Sequence, residues 1–217
     1  SSGYDPAKPY ANRDPRLKFS VFLEGDALPS GITFQPRPTS GTADAIGSTY
    51  IASTTGFNIK KYINNEDFAN PTNSGINIIL LRYAEILLTY AEAKIELGQT
   101  DATVLAAINQ VRNGRADVKR PSVSAASLAA WREIGRRVRT VELAFEGQRL
   151  YDIRRWKIGE QVMNGPVFGI TYLDATGKLV TVQAASSDRV FDASRHYLWP
   201  IPQKERDLNP NLKQNPN

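Results

Sequence analysis

The fold turns on the stretch INIILLRYAEILLTYAEAKIELG, residues Ile76–Gly98. Within it Leu81, Ala84, Leu88, Ala91 and Ile95 step by three and four, the spacing of one face of an α-helix. Ile79, Tyr83, Ile86 and Tyr90 fall on the opposite side. A helix that is apolar on two sides is expected to be packed on two sides. Gly98 is a natural stop. Thr100 or Asp101 then caps a second helix that carries Val104, Leu105, Ile108 and Val111 inward.

Two helices joined this closely form a hairpin of the size of a tetratricopeptide unit. Downstream, NGRADVKRPSVS (Asn113–Ser124) is a connection ended by Pro121. A third helix is expected from near Ser124 through Leu128, Trp131, Ile134, Val138, Val141 and Phe145. Gly147 interrupts it before a last helical stretch ends near Trp156. FGITYLDATGKLVTVQ (Phe168–Gln183) has two alternating runs around Asp174–Gly177 and reads as a β-hairpin. In HYLWPIPQKERDLNPNLKQNPN (His196–Asn217) the prolines forbid a long helix, so an extended tail is expected.

Upstream, residues 1–75 are rich in Gly, Pro, Ser, Thr and Asn, with only short strand-like runs such as KFSVFL (Lys18–Leu23). Phe34, Tyr50, Phe57 and Tyr62 are spread through this segment, which favours an ordered loop over a disordered linker. The expected organisation is a loop-rich segment over 1–75 with candidate ligand-binding loops, then a helical region over 76–217 with a β-hairpin near 167–183. The fold class is mainly α, with tetratricopeptide-like helical hairpins and long irregular loops.

Composition narrows the chemistry. The chain is 217 residues long, 41% hydrophobic and 23% charged, the make-up of a globular protein with a real core. It has no cysteine and a single histidine, His196, which excludes thiolate nucleophiles, disulfides and multi-histidine zinc sites. No metal or cofactor site is expected. His196 has no serine or cysteine elbow to serve and reads as a structural histidine. No window of eighteen apolar residues marks a membrane span, and SSGYDPAKPY at the start lacks the pattern of a signal peptide. The net charge of +5 comes from 27 basic against 22 acidic residues without a long block of one sign. Arg136–Arg139 and Arg154–Arg155 are interleaved with Glu133, Glu142 and Asp152, so nucleic acid is not expected as a partner.

The densest charge lies in VELAFEGQRLYDIRRW, Val141–Trp156. Glu142 and Glu146 are four apart, roughly 5–6 Å on a helix, a separation like that of a retaining glycosidase pair. At about 100° per residue, however, Glu142, Glu146, Arg149 and Asp152 share an arc with Val138, Phe145, Ile153 and Trp156, which turns the charges inward. Inward charges need partners. On a continuous helix the guanidinium of Arg149 could serve all three carboxylates and hold them ionised, which suits a structural clamp and spoils a general acid. Glu85 and Glu92 are expected to bind backbone groups or arginines of a neighbouring helix in the same way.

Taken in order, NRDPRL (Asn12–Leu17), KKYIN (Lys60–Asn64), LLRYAEILLTYAEAKIELG, INQVRNGRA, VELAFEGQRLYDIRRW and YLWPIPQKERDLNPNLKQNPN resemble the successive signatures of the RagB/SusD family of outer-membrane nutrient-binding lipoproteins. The likeness runs through nearly the whole chain. It departs from the family's usual wording at Val138, Thr140 and Gln148, where glutamate, arginine and histidine are commoner. A family member would also begin with a lipoprotein signal, an acylated cysteine and a long helical half, so the chain is expected to be the C-terminal part of such a protein. As an isolated piece it should expose apolar surface or dimerise.

The resemblance implies a non-catalytic protein, lipid-anchored on the outer face of the outer membrane. It would capture oligo- or polysaccharides and pass them to a TonB-dependent, SusC-like porin, touching the membrane only through the anchor of the preceding part. By analogy with the family's loop aromatics, the candidate ligand contacts are Phe34, Tyr50 and Phe57, with Arg37 and Asn58 as polar helpers. The alternatives are a tetratricopeptide-type protein-interaction scaffold, which needs an exposed helical groove, and a hydrolase built on Glu142 and Glu146, which needs solvent-open carboxylates.

Overall fold

A computed structural model describes residues 5, 7–48, 52–70, 72–124, 127–184 and 188–216. In chain order the elements are α1 (Arg16–Ser20), β1 (Val21–Phe22), β2 (Asn58–Ile59), α2 (Asn65–Ala69), α3 (Tyr83–Glu96), α4 (Ala102–Asn113), α5 (Leu128–Glu142), α6 (Arg149–Arg155), α7 (Gly159–Val162), β3 (Phe168–Leu173), β4 (Leu179–Gln183) and α8 (Gln203–Leu208). The chain is mainly helical, with long loops and two small antiparallel sheets, β1–β2 and β3–β4.

The α3–α4 hairpin forms as its caps dictate. Gly98 turns the chain out of α3 in the left-handed region, at φ +72°. Asp101 then caps α4, its carboxylate accepting from the Thr103 amide at 2.9 Å. Leu88, Ala91 and Ile95 of α3 meet Val104, Ala107, Ile108 and Val111 of α4, and Trp131 and Val138 of α5 close the cluster. This is the main core.

Three expectations are corrected. The first concerns α3, which begins at Tyr83, because residues 76–82 are not helical and expose Ile78, Leu80 and Leu81. Its other side, Tyr83, Ile86 and Tyr90 with Ile79 before it, is exposed, which is the apolar surface expected of an isolated C-terminal piece. The second concerns α5, which starts at Leu128 behind a Ser127 cap and stops at Glu142 rather than running to Phe145. Phe145 (φ +63°) and Gly147 (φ +79°) are both left-handed. Such a turn ends the helix outright, and α6 folds back so that its Asp152 reaches Arg139 of α5. The third concerns Lys18–Ser20, which close a short helix rather than open a strand.

The loop-rich part has buried groups of its own. β1 pairs with β2 through Val21↔Ile59 and Phe22↔Asn58. Val21, Phe22, Leu23, Phe34 and Ala45 are all buried, with the Phe22 and Phe34 rings 6.2 Å apart. β3 and β4 pair as Thr171↔Thr181, Tyr172↔Val180 and Leu173↔Leu179. Their turn is held by the Asp174 carboxylate, which accepts from the amides of Thr176 and Lys178, with Gly177 at φ +80°. The hairpin is seated on the loop before β2, the Ile170 amide donating to the Thr55 carbonyl at 2.8 Å. Among the described residues no helix is long and apolar enough to cross a membrane.

Candidate functional site

The carboxylates of the 141–156 stretch divide into two ion clusters. Glu142, buried at the end of α5, accepts from Arg16 Nη1 at 2.8 Å on one oxygen and from Arg82 Nη1 at 2.7 Å on the other. Arg82 also donates through Nε to Glu146 at 2.7 Å and through Nη2 to the Glu142 carbonyl at 2.8 Å. Lys61 completes the group, paired with Glu146 and donating to the carbonyls of Glu142 (3.3 Å) and Ala144 (3.1 Å). Arg16 is held from its other side by Asp14 at 2.7 Å.

Asp152 belongs to the second cluster. It pairs with Arg139 at 2.9 Å and Arg155 at 2.7 Å, and Arg155 reaches on to Glu92, which also accepts from the Trp156 indole at 2.6 Å. Glu85 lies 3.8 Å from Arg139. Arg149 joins neither cluster, which corrects its expected role. With α5 ended at Glu142 the assumed helical phase is lost; Arg149 is exposed, donates to the Thr140 hydroxyl at 2.9 Å and lies over the Trp156 ring.

The electrostatics follow from these contacts. Burial opposes ionisation of Glu142, but hydrogen bonds from Arg16 and Arg82 outweigh it and hold the carboxyl below its ordinary value. Burial likewise works against Glu92, and Arg155 with Trp156 reverses it. A carboxylate kept ionised by two guanidiniums has no proton to donate, and Arg82 stands between Glu142 and Glu146 where a sugar would have to sit. This arrangement ties four distant segments together.

A cleft of about 270 Å³ lies elsewhere, between residues 7–11 and the end of β3, and its lining includes Tyr10, Glu24, Arg37 and Tyr172. Arg37 pairs with Glu24 at 2.5 Å, donates to the Leu173 carbonyl at 3.2 Å and lies 5.3 Å from the centre of the Tyr172 ring. Tyr10 is braced edge-on by Phe57, with ring centres 6.1 Å apart. The cleft therefore combines two tyrosines, an ion pair and exposed backbone.

The candidate contacts are distributed unequally around it. Arg37 lines the cleft, and Phe57 supports it from behind through Tyr10. Asn58 is half-buried in β2, opposite Phe22. Phe34 is withdrawn completely from solvent at 0% exposure, so its expected ligand contact is corrected to a core role. Tyr50 lies outside the described residues. Sequence reasoning missed Tyr10, Glu24 and Tyr172. The alternation of β3 could have singled out Tyr172, but nothing in the order of residues predicts that 7–11 returns beside it.

Comparison with known proteins gives a consistent outcome. The model of the SusD family matches residues 1–217. SusD-like protein P2 of Formosa agariphila is 34% identical over 151 residues, covering 67% of this chain and 26% of that protein. SusD-like protein P38 of the same organism is 31% identical over 156 residues, covering 67% and 25%. A SusD-like carbohydrate binding protein from Bacteroides fragilis superposes with a TM-score of 0.78 at 34% identity, over 98% of this chain and 44% of that one. A second SusD-like protein from B. fragilis gives 0.77 at 30% identity, over 95% and 39%. The chain thus spans about a quarter of the length of its curated relatives and less than half of the solved ones.

Proposed function

The chain belongs to the SusD family, and from that premise we propose that it is part of a non-catalytic glycan-binding protein, surface-exposed on the outer membrane through a lipid anchor, that delivers oligo- or polysaccharides to a TonB-dependent, SusC-like porin. The observation that carries this reading is the cleft where Tyr10 and Tyr172 flank the Arg37–Glu24 ion pair. Sugars offer C–H faces that pack on aromatic rings and hydroxyls that both donate and accept. A tyrosine pair beside a guanidinium–carboxylate couple answers both demands. The solved SusD-like protein from B. fragilis is described as carbohydrate binding, which supports carrying the chemistry across.

In this reading residues 1–75 supply most of the binding loops, and 76–217 the scaffold that fixes them together with Tyr172 of β3. Arg37 contacts ligand, Phe57 holds Tyr10 in place, and Asn58 is a further polar contact. The guanidiniums that hold Glu142 ionised, with Arg82 between it and Glu146, support a non-catalytic role.

The test is isothermal calorimetry against a panel of neutral and acidic polysaccharides, with the protein and its Tyr172→Ala variant. At least one glycan should bind, and Tyr172→Ala should weaken it about tenfold, on the order of 1.4 kcal/mol. Wild-type affinity in Tyr172→Ala, or release of reducing ends from any glycan, would overturn the reading.

A further inference from the structure

A larger cavity of about 560 Å³ runs along α5 and past α6 to α7, away from the tyrosine cleft. Its lining includes Arg132, Arg136, Arg137, Thr140, Arg149 and Trp156. Four guanidiniums here face few acids. Glu96 pairs with Arg132 at 2.8 Å and comes within 4.0 Å of Arg136, while Glu133 lines the cavity itself. Arg137 and Arg149 make no ion pair among the described residues. The two carboxylates nearest Arg149 in sequence are already occupied, Asp152 by Arg139 and Arg155 and Glu146 by Lys61 and Arg82.

The floor of the cavity is built to hold cations in place. The buried Trp156 indole is fixed by its hydrogen bond to Glu92, and the guanidiniums of Arg136 and Arg149 lie 5.1 and 5.9 Å from the centre of its ring. A guanidinium held against an aromatic face keeps its N–H fork available to a planar or tetrahedral anion. The Thr140 hydroxyl receives Arg149 and fixes its position. Partial burial also pushes the Arg149 guanidinium down from its ordinary value, and the opposing charge of Asp152 does not fully offset it.

We propose that this cavity is a second ligand site, selective for the carboxylate or sulfate groups of an acidic saccharide and separate from the cleft at Tyr172. Arg137 and Arg149 supply the charge, Arg136 the flanking contact, and the buried Trp156 ring, which Arg155 also approaches at 4.9 Å, the backing that holds the guanidiniums in place. The proposal rests on the reading of the protein as glycan-binding, but it makes its own demand: recognition here depends on charge.

The experiment is calorimetry with three probes of matched length: a galacturonate oligosaccharide, a sulfated dextran oligosaccharide and neutral dextran. They are titrated into the protein and its Arg137→Glu, Arg149→Gln and Tyr172→Ala variants. At least one acidic probe should bind, more weakly as salt rises, with Arg137→Glu and Arg149→Gln each lowering its affinity at least fivefold and Tyr172→Ala leaving it unchanged. The galacturonate and sulfate arms tell which anion is read. Arg137 is exposed, so its variant tests the site even if Arg149→Gln perturbs the fold. Wild-type binding of the acidic probes by Arg137→Glu overturns the proposal, as does binding of inorganic sulfate or a short DNA strand as tight as the acidic sugars. If Tyr172→Ala alone abolishes acidic binding, the tyrosine cleft is the only site, and this inference fails while the first reading stands.

Discussion

Arg16 and Glu142, 126 positions apart in the chain, meet at 2.8 Å with both side chains almost fully withdrawn from solvent. The pair joins the first helix of the loop-rich segment to the last turn of α5. Removing Glu142 takes one of the two acids from buried Arg16 and leaves Asp14 to balance it, so the cost should lie toward the low end of the roughly 3–5 kcal/mol of a broken buried pair. Glu142→Ala should therefore lower the midpoint of urea unfolding sharply. The half-exposed pair between Arg132 and Glu96 should matter little, with Glu96→Ala costing about 1 kcal/mol or less. Equal midpoints for the two variants would refute the assignment of Glu142 as the tie between segments.

The same contacts set an acid limit. Glu142 and Asp14 both titrate below their ordinary values of 4.5 and 3.8: burial raises each, but hydrogen bonds from Arg16, and from Arg82 to Glu142, prevail. A carboxylate depressed in the folded state contributes stability that is full above its ordinary value and disappears as pH falls through the lowered one. Unfolding free energy should hold steady from neutral pH to about 5, then fall. Glu142→Gln should be less stable at pH 7 and show a shallower decline below pH 4.5. Parallel acid limbs for variant and wild type would dismiss Glu142 from this role.

The partners of Glu142 and Glu146 explain which parts of the fold were legible. Arg16 comes from NRDPRL, Lys61 from KKYIN, Arg82 from LLRYAE, and the two glutamates from VELAFEG. Taken in order these stretches resemble the family's signatures, yet their meeting in one cluster is a property of tertiary structure. Helical phase could turn Glu142 inward; it could not say that the cation would arrive from another segment. Arg149 is the candidate that a continuous helix offers, and the turn at Phe145 and Gly147 removes it. Caps and periodicity placed α3, α4 and the β3–β4 hairpin well because those are local effects. The opposite face of α3 is apolar as read and uncovered in this chain, because periodicity reports that residues are apolar and not what covers them.

The seat of the hairpin gives a third prediction. A Cβ at Gly169 would lie 2.2 Å from the Thr55 carbonyl oxygen, beside the hydrogen bond from the Ile170 amide to that same atom. Backbone on both sides cannot yield as a flexible side chain can. Gly169→Ala should loosen the hairpin from the loop before β2, costing about 1–3 kcal/mol. Hydrogen exchange should speed up at the amide of Ile170 while the α3–α4 core stays protected. Gly75, with open space around it, supplies the control, since Gly75→Ala should leave exchange unchanged.

Phe34 and Arg37 stand three residues apart and should fail in opposite ways. Phe34 is wholly buried against Phe22, so Phe34→Ala opens a cavity in the loop segment and should cost about 3–5 kcal/mol of stability. Glycan affinity per folded molecule should change little at a temperature where the variant remains folded. Arg37 is more than a third exposed, and its pair with Glu24 is accordingly worth about 1 kcal/mol or less to the fold. In the cleft, however, the same guanidinium lies against Tyr172 and caps the Leu173 carbonyl. Arg37→Ala should leave the urea midpoint nearly unmoved and weaken binding of any glycan that depends on Tyr172 by about tenfold, on the order of 1.4 kcal/mol. Measured together, the two variants separate support of the loop from contact with the sugar. Binding lost in folded Phe34→Ala and kept in Arg37→Ala would move the ligand away from the Tyr10–Tyr172 cleft.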